Sequence, residues 1–213
     1  MTDLVLSVHK VTKSFGAQMV LDHVSLECAA GHIYGLIGRN GSGKTVLMKC
    51  ILGLLAPDKG EVVVCGRRIG KDADFAENVG FIIEQPGFLP HETAFSNLKY
   101  LASIRGRITP RQIRECISAV GLDPDSRKRV MKYSMGMRQR LGIAQALMEN
   151  PDVLILDEPM NGLDNSGVEE MRRLFLGLKR EGKTILLASH NREDVDVLCD
   201  AVYEMDGGVL RPK

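Results

Sequence analysis

Apolar and polar residues alternate from Leu4 to Val11, with Leu4, Leu6 and Val8 set against Val5, Ser7 and His9. That is the two-residue period of a strand with one buried face. A second strand-like run covers Val24 to Cys28, so an antiparallel layer is expected near the N-terminus. Ile33 to Ile37 reads as an apolar strand, and after a glycine-rich interval Val46 to Leu55 reads as a helix. Glu61 to Cys65 and Val79 to Ile83 read as further strands between polar, glycine-bearing turns. From Glu92 to Asn150 the period becomes helical: Leu98, Leu101 and Ile104, then Ile113, Ile117 and Val120, then Leu141, Ile143, Ala144 and Leu147. Pro151 closes that stretch. Val153-Leu154-Ile155-Leu156 is a continuous apolar run, the pattern of a parallel strand buried on both faces. Gly167 to Arg180 is an amphipathic helix and Thr184 to Ala188 a last central strand. Val202 to Met205 and Val209-Leu210 make a closing hairpin over Asp206-Gly207-Gly208. The pattern predicts a single α/β domain over residues 1–213: a mostly parallel sheet, an N-terminal antiparallel β layer, and an α-helical subdomain inserted at about 88–150.

Composition narrows the function classes. The chain has 213 residues, Lys+Arg 28 against Asp+Glu 27, and 44% apolar residues, the make-up of an ordinary globular domain without the basic excess of a nucleic-acid binder. No apolar run approaches the roughly 18 residues of a membrane-spanning helix, and Met1-Thr2-Asp3 does not open a signal peptide, so a soluble, cytoplasmic chain is expected. Cys28, Cys50, Cys65, Cys116 and Cys199 form no C-x-x-C pair and have no clustered histidines. They read as small buried hydrophobes rather than ligands or disulfides.

The interval before the first helix is Gly38-Arg39-Asn40-Gly41-Ser42-Gly43-Lys44-Thr45, which fits the phosphate-loop pattern G-x-x-x-x-G-K-[ST] at every fixed position. Glycines let successive backbone N–H groups turn toward a phosphate, the helix start adds its positive end, and Lys44 supplies a mobile charge. Thr45 would offer its hydroxyl to Mg²⁺. At the end of the apolar run, Asp157 and Glu158 form an acidic pair where an open α/β sheet binds its ligand. Asp157 is placed to hold Mg²⁺ opposite Thr45, and Glu158 to polarise an attacking water.

With these motifs the chain resembles the ATP-binding ATPase subunits of ABC transporters. Besides the phosphate loop (Walker A) and Val153 to Glu158 (Walker B), Tyr133-Ser134-Met135-Gly136-Met137 followed by Arg138-Gln139-Arg140 looks like a degenerate form of the family signature L-S-G-G-Q. Asn161-Gly162-Leu163-Asp164 resembles the D-loop and Ser189-His190 the switch histidine, all in the family's order over essentially the whole chain. The resemblance implies a P-loop NTPase core binding ATP with Mg²⁺, the nucleotide set running from Gly38 through Thr45 to Val46. Phe15 would stack on adenine and Asp164 would join the composite site. His190 would contact the γ-phosphate or link it to the attacking water, and Ser134 with the Gly136 backbone would reach ATP held by a second, head-to-tail ATPase subunit. Met135 and Met137 stand where the family carries glycine and glutamine. At the Q-loop, Glu84 or Gln85 would reach Mg²⁺; Ile83-Glu84-x-Pro86 and the signature variant resemble a bacterial branch exporting peptide antibiotics, lantibiotics and drugs.

As partners, the resemblance implies that second ATPase subunit, identical or closely related, and an integral membrane permease that would hold the chain at the cytoplasmic membrane face. No nucleic acid and no metal beyond nucleotide-bound Mg²⁺ are expected. A nucleoside monophosphate kinase would leave Ser189-His190 unexplained, and the guanine motif N-K-x-D of GTPases is absent. The alternative is a non-transport ABC ATPase, such as a single-cassette cluster-assembly ATPase.

Overall fold

The computed structural model describes residues 4–84 and 86–213. The alternating N-terminal stretch forms β1 (Leu4–Phe15) and β2 (Gln18–Ala29), paired antiparallel. With β4 (Lys59–Val64) and β5 (Arg67–Arg68) they make an antiparallel sheet of order β2-β1-β4-β5. The second sheet has the order β10-β9-β3-β8-β7-β6, from β3 (Ile33–Ile37), β6 (Val79–Ile82), β7 (Val153–Asp157), β8 (Thr184–Ala188), β9 (Ala201–Asp206) and β10 (Val209–Pro212). Its ladders are parallel from β9 to β6, and only the β9–β10 hairpin is antiparallel. That hairpin turns on Gly207 and Gly208, both at positive φ (53° and 83°), as a two-residue loop requires.

The continuous apolar run in β7 serves two cores. Leu154 and Leu156 pack with the helical region, while Val153 and Ile155 join the core that contains the antiparallel sheet. Because a strand's side chains alternate between faces, a run without polar gaps is what a sheet covered on both sides demands. α1 (Lys44–Leu52) fills the gap between the two sheets with Leu47, Met48, Cys50 and Ile51, all fully buried. α5 (Asn165–Arg180) and α6 (Arg192–Leu198) are tied by Arg172, a buried guanidinium that donates to Asp194, Glu193 and Glu169.

Between β6 and β7 the chain runs through α2 (Ala94–Arg105), α3 (Pro110–Ala119), a 3₁₀ turn at Val130–Lys132 and α4 (Met135–Leu147). The starts are specified locally. Thr93 accepts from Ser96 N, Thr109 forms a reciprocal box with Gln112 ahead of Pro110, and Ser134 accepts from Met137 N. Leu98, Ile113, Ile117 and Leu141 enter the core as their spacing predicts, whereas Ile104 lies exposed. α4 meets β6 backbone to backbone: a Cβ on Gly80 would sit 1.9 Å from Ala146 O. Gly80→Ala is therefore expected to destabilise the chain by about 2–3 kcal/mol, since no rotamer change removes a clash with main chain. A urea unfolding midpoint unchanged from wild type would refute this.

Two short elements escape the sequence pattern. β5 has two exposed arginines and no apolar residue, and the only apolar residues that α6 buries within its seven are Val195 and Leu198. The cysteine expectation also needs correction. Cys28 and Cys50 are buried, and burial pushes the Cys50 thiol up to about 11, but Cys116 and Cys199 are half-buried and Cys65 is exposed. Cys65 stands in the tight turn between β4 and β5 at φ 49°, where the chain must reverse in solvent. None of the five is in a disulfide, and the described residues contain no cluster of metal-ligating side chains. No helix among them is long and apolar enough to cross a membrane.

Candidate functional site

The loop between β3 and α1 can be built only from glycine at its fixed points. Gly38 and Gly43 adopt φ 147° and 113°, and a Cβ would meet Met205 O at 2.2 Å and Val20 O at 2.8 Å respectively. This close approach packs the loop against β9 and β2. Lys44 is buried, and its Nζ donates to Gly38 O (2.7 Å) and Arg39 O (3.0 Å). Ser42 Oγ is buried with no hydrogen-bond partner among the described residues. An orphaned hydroxyl costs free energy in a dry site, and a phosphate oxygen seated in the loop would satisfy it.

The neighbouring strand ends complete the site. Thr45 Oγ1 donates to Asp157 Oδ2 at 2.7 Å, joining the first turn of α1 to the end of β7. This all-oxygen pair has the hard-donor character that suits Mg²⁺. Glu158 follows at φ 50°, a left-handed conformation rare for a side chain of its size, and its N–H donates to Ala188 O at 3.0 Å. His190 Nδ1 lies 2.8 Å from Glu158 Oε2, so with the proton on Nδ1 the ring donates to the carboxylate.

These groups open on a cavity of about 470 Å³ lined by Asn40, Gly41, Ser42, Gly43, Lys44, Thr45, Val46, Glu84, Asp157 and Glu158, together with Val20, Met135, Gln139 and Asn161. Gly38, Arg39, Ser189 and His190 line an adjoining groove of about 520 Å³. Glu84 sits at φ 60° with Oε1 2.6 Å from Lys49 Nζ, turned toward α1. Gln85 lies outside the described residues. Phe15 is exposed at the end of β1, with Lys13 Nζ 5.7 Å from its ring centre.

Four of the expected residues, Phe15, Ser134, Gly136 and Asp164, line neither the cavity nor the groove. Ser134 is exposed at the start of α4, Gly136 follows in its first turn, and Asp164 caps α5 by accepting from Gly167 N at 2.9 Å. Sequence reasoning missed Gln139, a buried amide that reaches the strand-end turn. Its signal was a polar residue between Met135 and Ile143 at four-residue spacing, on a stripe otherwise apolar.

The family model described as "ABC transporter" matches residues 21–161. The ABC transporter ATP-binding protein YybJ of Bacillus subtilis (strain 168) is 43% identical over 97% of this chain and 94% of its own length. The bacitracin transport ATP-binding protein BcrA of Bacillus licheniformis is 41% identical over 97% of this chain and 68% of its own. A bacterial ABC transporter cassette solved as a dimer superposes with a TM-score of 0.88 at 23% identity, covering 98% and 97% of the two chains, a likeness of fold. A phosphate loop facing an acidic strand end, in a chain matched along nearly its full length by such relatives, identifies this protein as a member of the ABC transporter family and one of its ATP-binding, ATP-hydrolysing subunits.

Proposed function

We propose that this chain powers an exporter of peptide antibiotics by binding and hydrolysing ATP between two ATPase subunits. The observation that carries the reading is the 2.7 Å contact between Thr45 and Asp157, which brings the phosphate loop against the acidic strand end beside Glu158. In this reading Gly38 to Val46 cradle the nucleotide phosphates with main-chain amides, Lys44 transfers its hydrogen bonds from two carbonyls to phosphate oxygens, and Phe15 stacks on the base. Thr45 and Asp157 would hold Mg²⁺, with Glu84 or Gln85 added from the loop after β6. Mg²⁺, when bound, would supply positive charge that offsets the charge of the nucleotide phosphates. Glu158 accepts a proton from the attacking water, and His190 fixes the carboxylate from its other side.

The residues at about 88–150 act as a helical subdomain whose exposed Ser134, with the Gly136 backbone in the same turn, would reach nucleotide held by a second ATPase subunit, with Asp164 at the same border. Such a nucleotide touches both subunits only when they are closed, so its binding favours closure by its differential affinity for that state. The bacitracin-transport relative supports the substrate class, and an integral membrane permease would carry the transport path.

Isolation of the native complex from membranes tests the reading. An integral membrane subunit is expected to co-purify, and peptide antibiotic is expected to raise the complex's ATPase rate. Recovery with soluble partners alone would reject the transport role.

A further inference from the structure

We propose that Gln139 is a positioning residue that holds Glu158 in its working orientation and ties it to the outward-facing start of α4. It rests on the reading of Glu158 as the group that activates water.

Gln139 is buried, and its Nε2 donates to Glu158 O at 3.2 Å and Pro159 O at 3.0 Å. Two converging carbonyls fix the amide's orientation, because the reversed amide would set oxygen against two oxygens. Fixing a long polar side chain and removing it from water both carry a cost, which the two hydrogen bonds offset. The turn they hold needs holding. Glu158 adopts φ 50°, and left-handed backbone on a residue with a Cβ persists where its surroundings over-determine it. Among the described residues the other hydrogen bonds to its main chain are Glu158 N to Ala188 O (3.0 Å) and Asn161 N to Glu158 O (3.2 Å), while His190 meets only its carboxylate. Gln139 thus adds a side-chain brace from a different element.

The same end of α4 is fastened to the rest of that turn. A Cβ on Gly136 would be 2.8 Å from Gly162 O, and Met135 lies so closely over Gly162 that a Cβ there would be 2.7 Å from its Cγ. Arg140 donates to Glu170 on α5 at 2.7 Å. The first turns of α4 and the segment from Glu158 to Glu170 are therefore held together by packing and hydrogen bonds. Ser134, the cap of α4, is the exposed end of this unit. A nucleotide of the partner subunit drawn against Ser134 pulls on the helix that carries Gln139, and so on the chain's own Glu158. Each site would report its occupancy to the other through one buried amide.

Gln139→Met tests this, since it keeps length and approximate volume and removes both donors. With the purified full chain and Mg·ATP, kcat is expected to fall about ten- to a hundredfold, the range for losing a buried hydrogen bond to a reacting group's support, with nucleotide affinity within about twofold. Hydrogen exchange in the nucleotide-free variant should rise across 158–163 and stay as in wild type across α1 and β7. A wild-type kcat, a parallel loss of nucleotide affinity, or unchanged exchange across 158–163 would each overturn the proposal. Glu158→Gln, assayed alongside, separates the two failures. If it stops turnover while Gln139→Met does not, the brace is wrong and the role of Glu158 stands. If Glu158→Gln hydrolyses ATP at wild-type rate, that role is wrong and exchange alone decides the brace.

Discussion

Glu158→Gln is expected to bind ATP with undiminished affinity and to lose hydrolysis by about two to four orders of magnitude, the usual contribution of a positioned proton acceptor. The amide keeps the size and planar shape of the carboxylate. One of its atoms can still meet His190, which now lies 2.8 Å from Oε2. The backbone restraints on residue 158 do not involve the side chain, so the turn should survive. What disappears is an acceptor able to become a neutral acid. Because the phosphate loop, Lys44 and Asp157 are untouched, ATP should accumulate unhydrolysed and hold two subunits closed. Single-turnover phosphate release and size-exclusion chromatography in ATP check both halves. A wild-type rate would remove Glu158 from the mechanism, and a monomer in ATP would remove the shared nucleotide.

Lys44→Ala should act on the other term, weakening nucleotide binding about ten- to a hundredfold, as loss of a charge-assisted hydrogen bond implies. Lys44 is buried and its bonds to Gly38 O and Arg39 O span the loop, so alanine removes both the cation and an internal tie. Lys44→Arg should not restore affinity, because a planar fork is too broad for a pocket shaped around a compact ammonium. Titration with a non-hydrolysable ATP analogue gives the answer directly. Unchanged affinity in Lys44→Ala would contradict the role of the loop.

Much of this was legible in the residues themselves. β3 and β8 begin and end where their apolar runs do, because a buried strand bounded by turns leaves little ambiguity. The phosphate loop declared itself because its fixed residues, Gly38, Gly43, Lys44 and Thr45, fall within eight consecutive positions, although the main-chain atoms that exclude a Cβ at the two glycines belong to the distant Met205 and Val20. The ties between distant elements were not legible. Lys49 with Glu84, Gln139 with the turn after β7, and Arg172 with Asp194 join residues 35, 19 to 20, and 22 positions apart, and periodicity reports which face is buried, not what lies opposite it. α6 was hidden because helices of seven residues carry barely two turns of signal, and here Val195 and Leu198 are its only buried apolar residues. The exposure of Cys65 follows from turn geometry, which outranks the residue's ordinary preference for the interior.

The two bonds from Lys44 Nζ to Gly38 O and Arg39 O reach back across the loop that precedes the lysine. The curvature of the loop is therefore written into a side chain as well as into its glycines. A shorter amine at this position would change the bend before it changed the charge, so side-chain length and charge at residue 44 are separable properties of the loop.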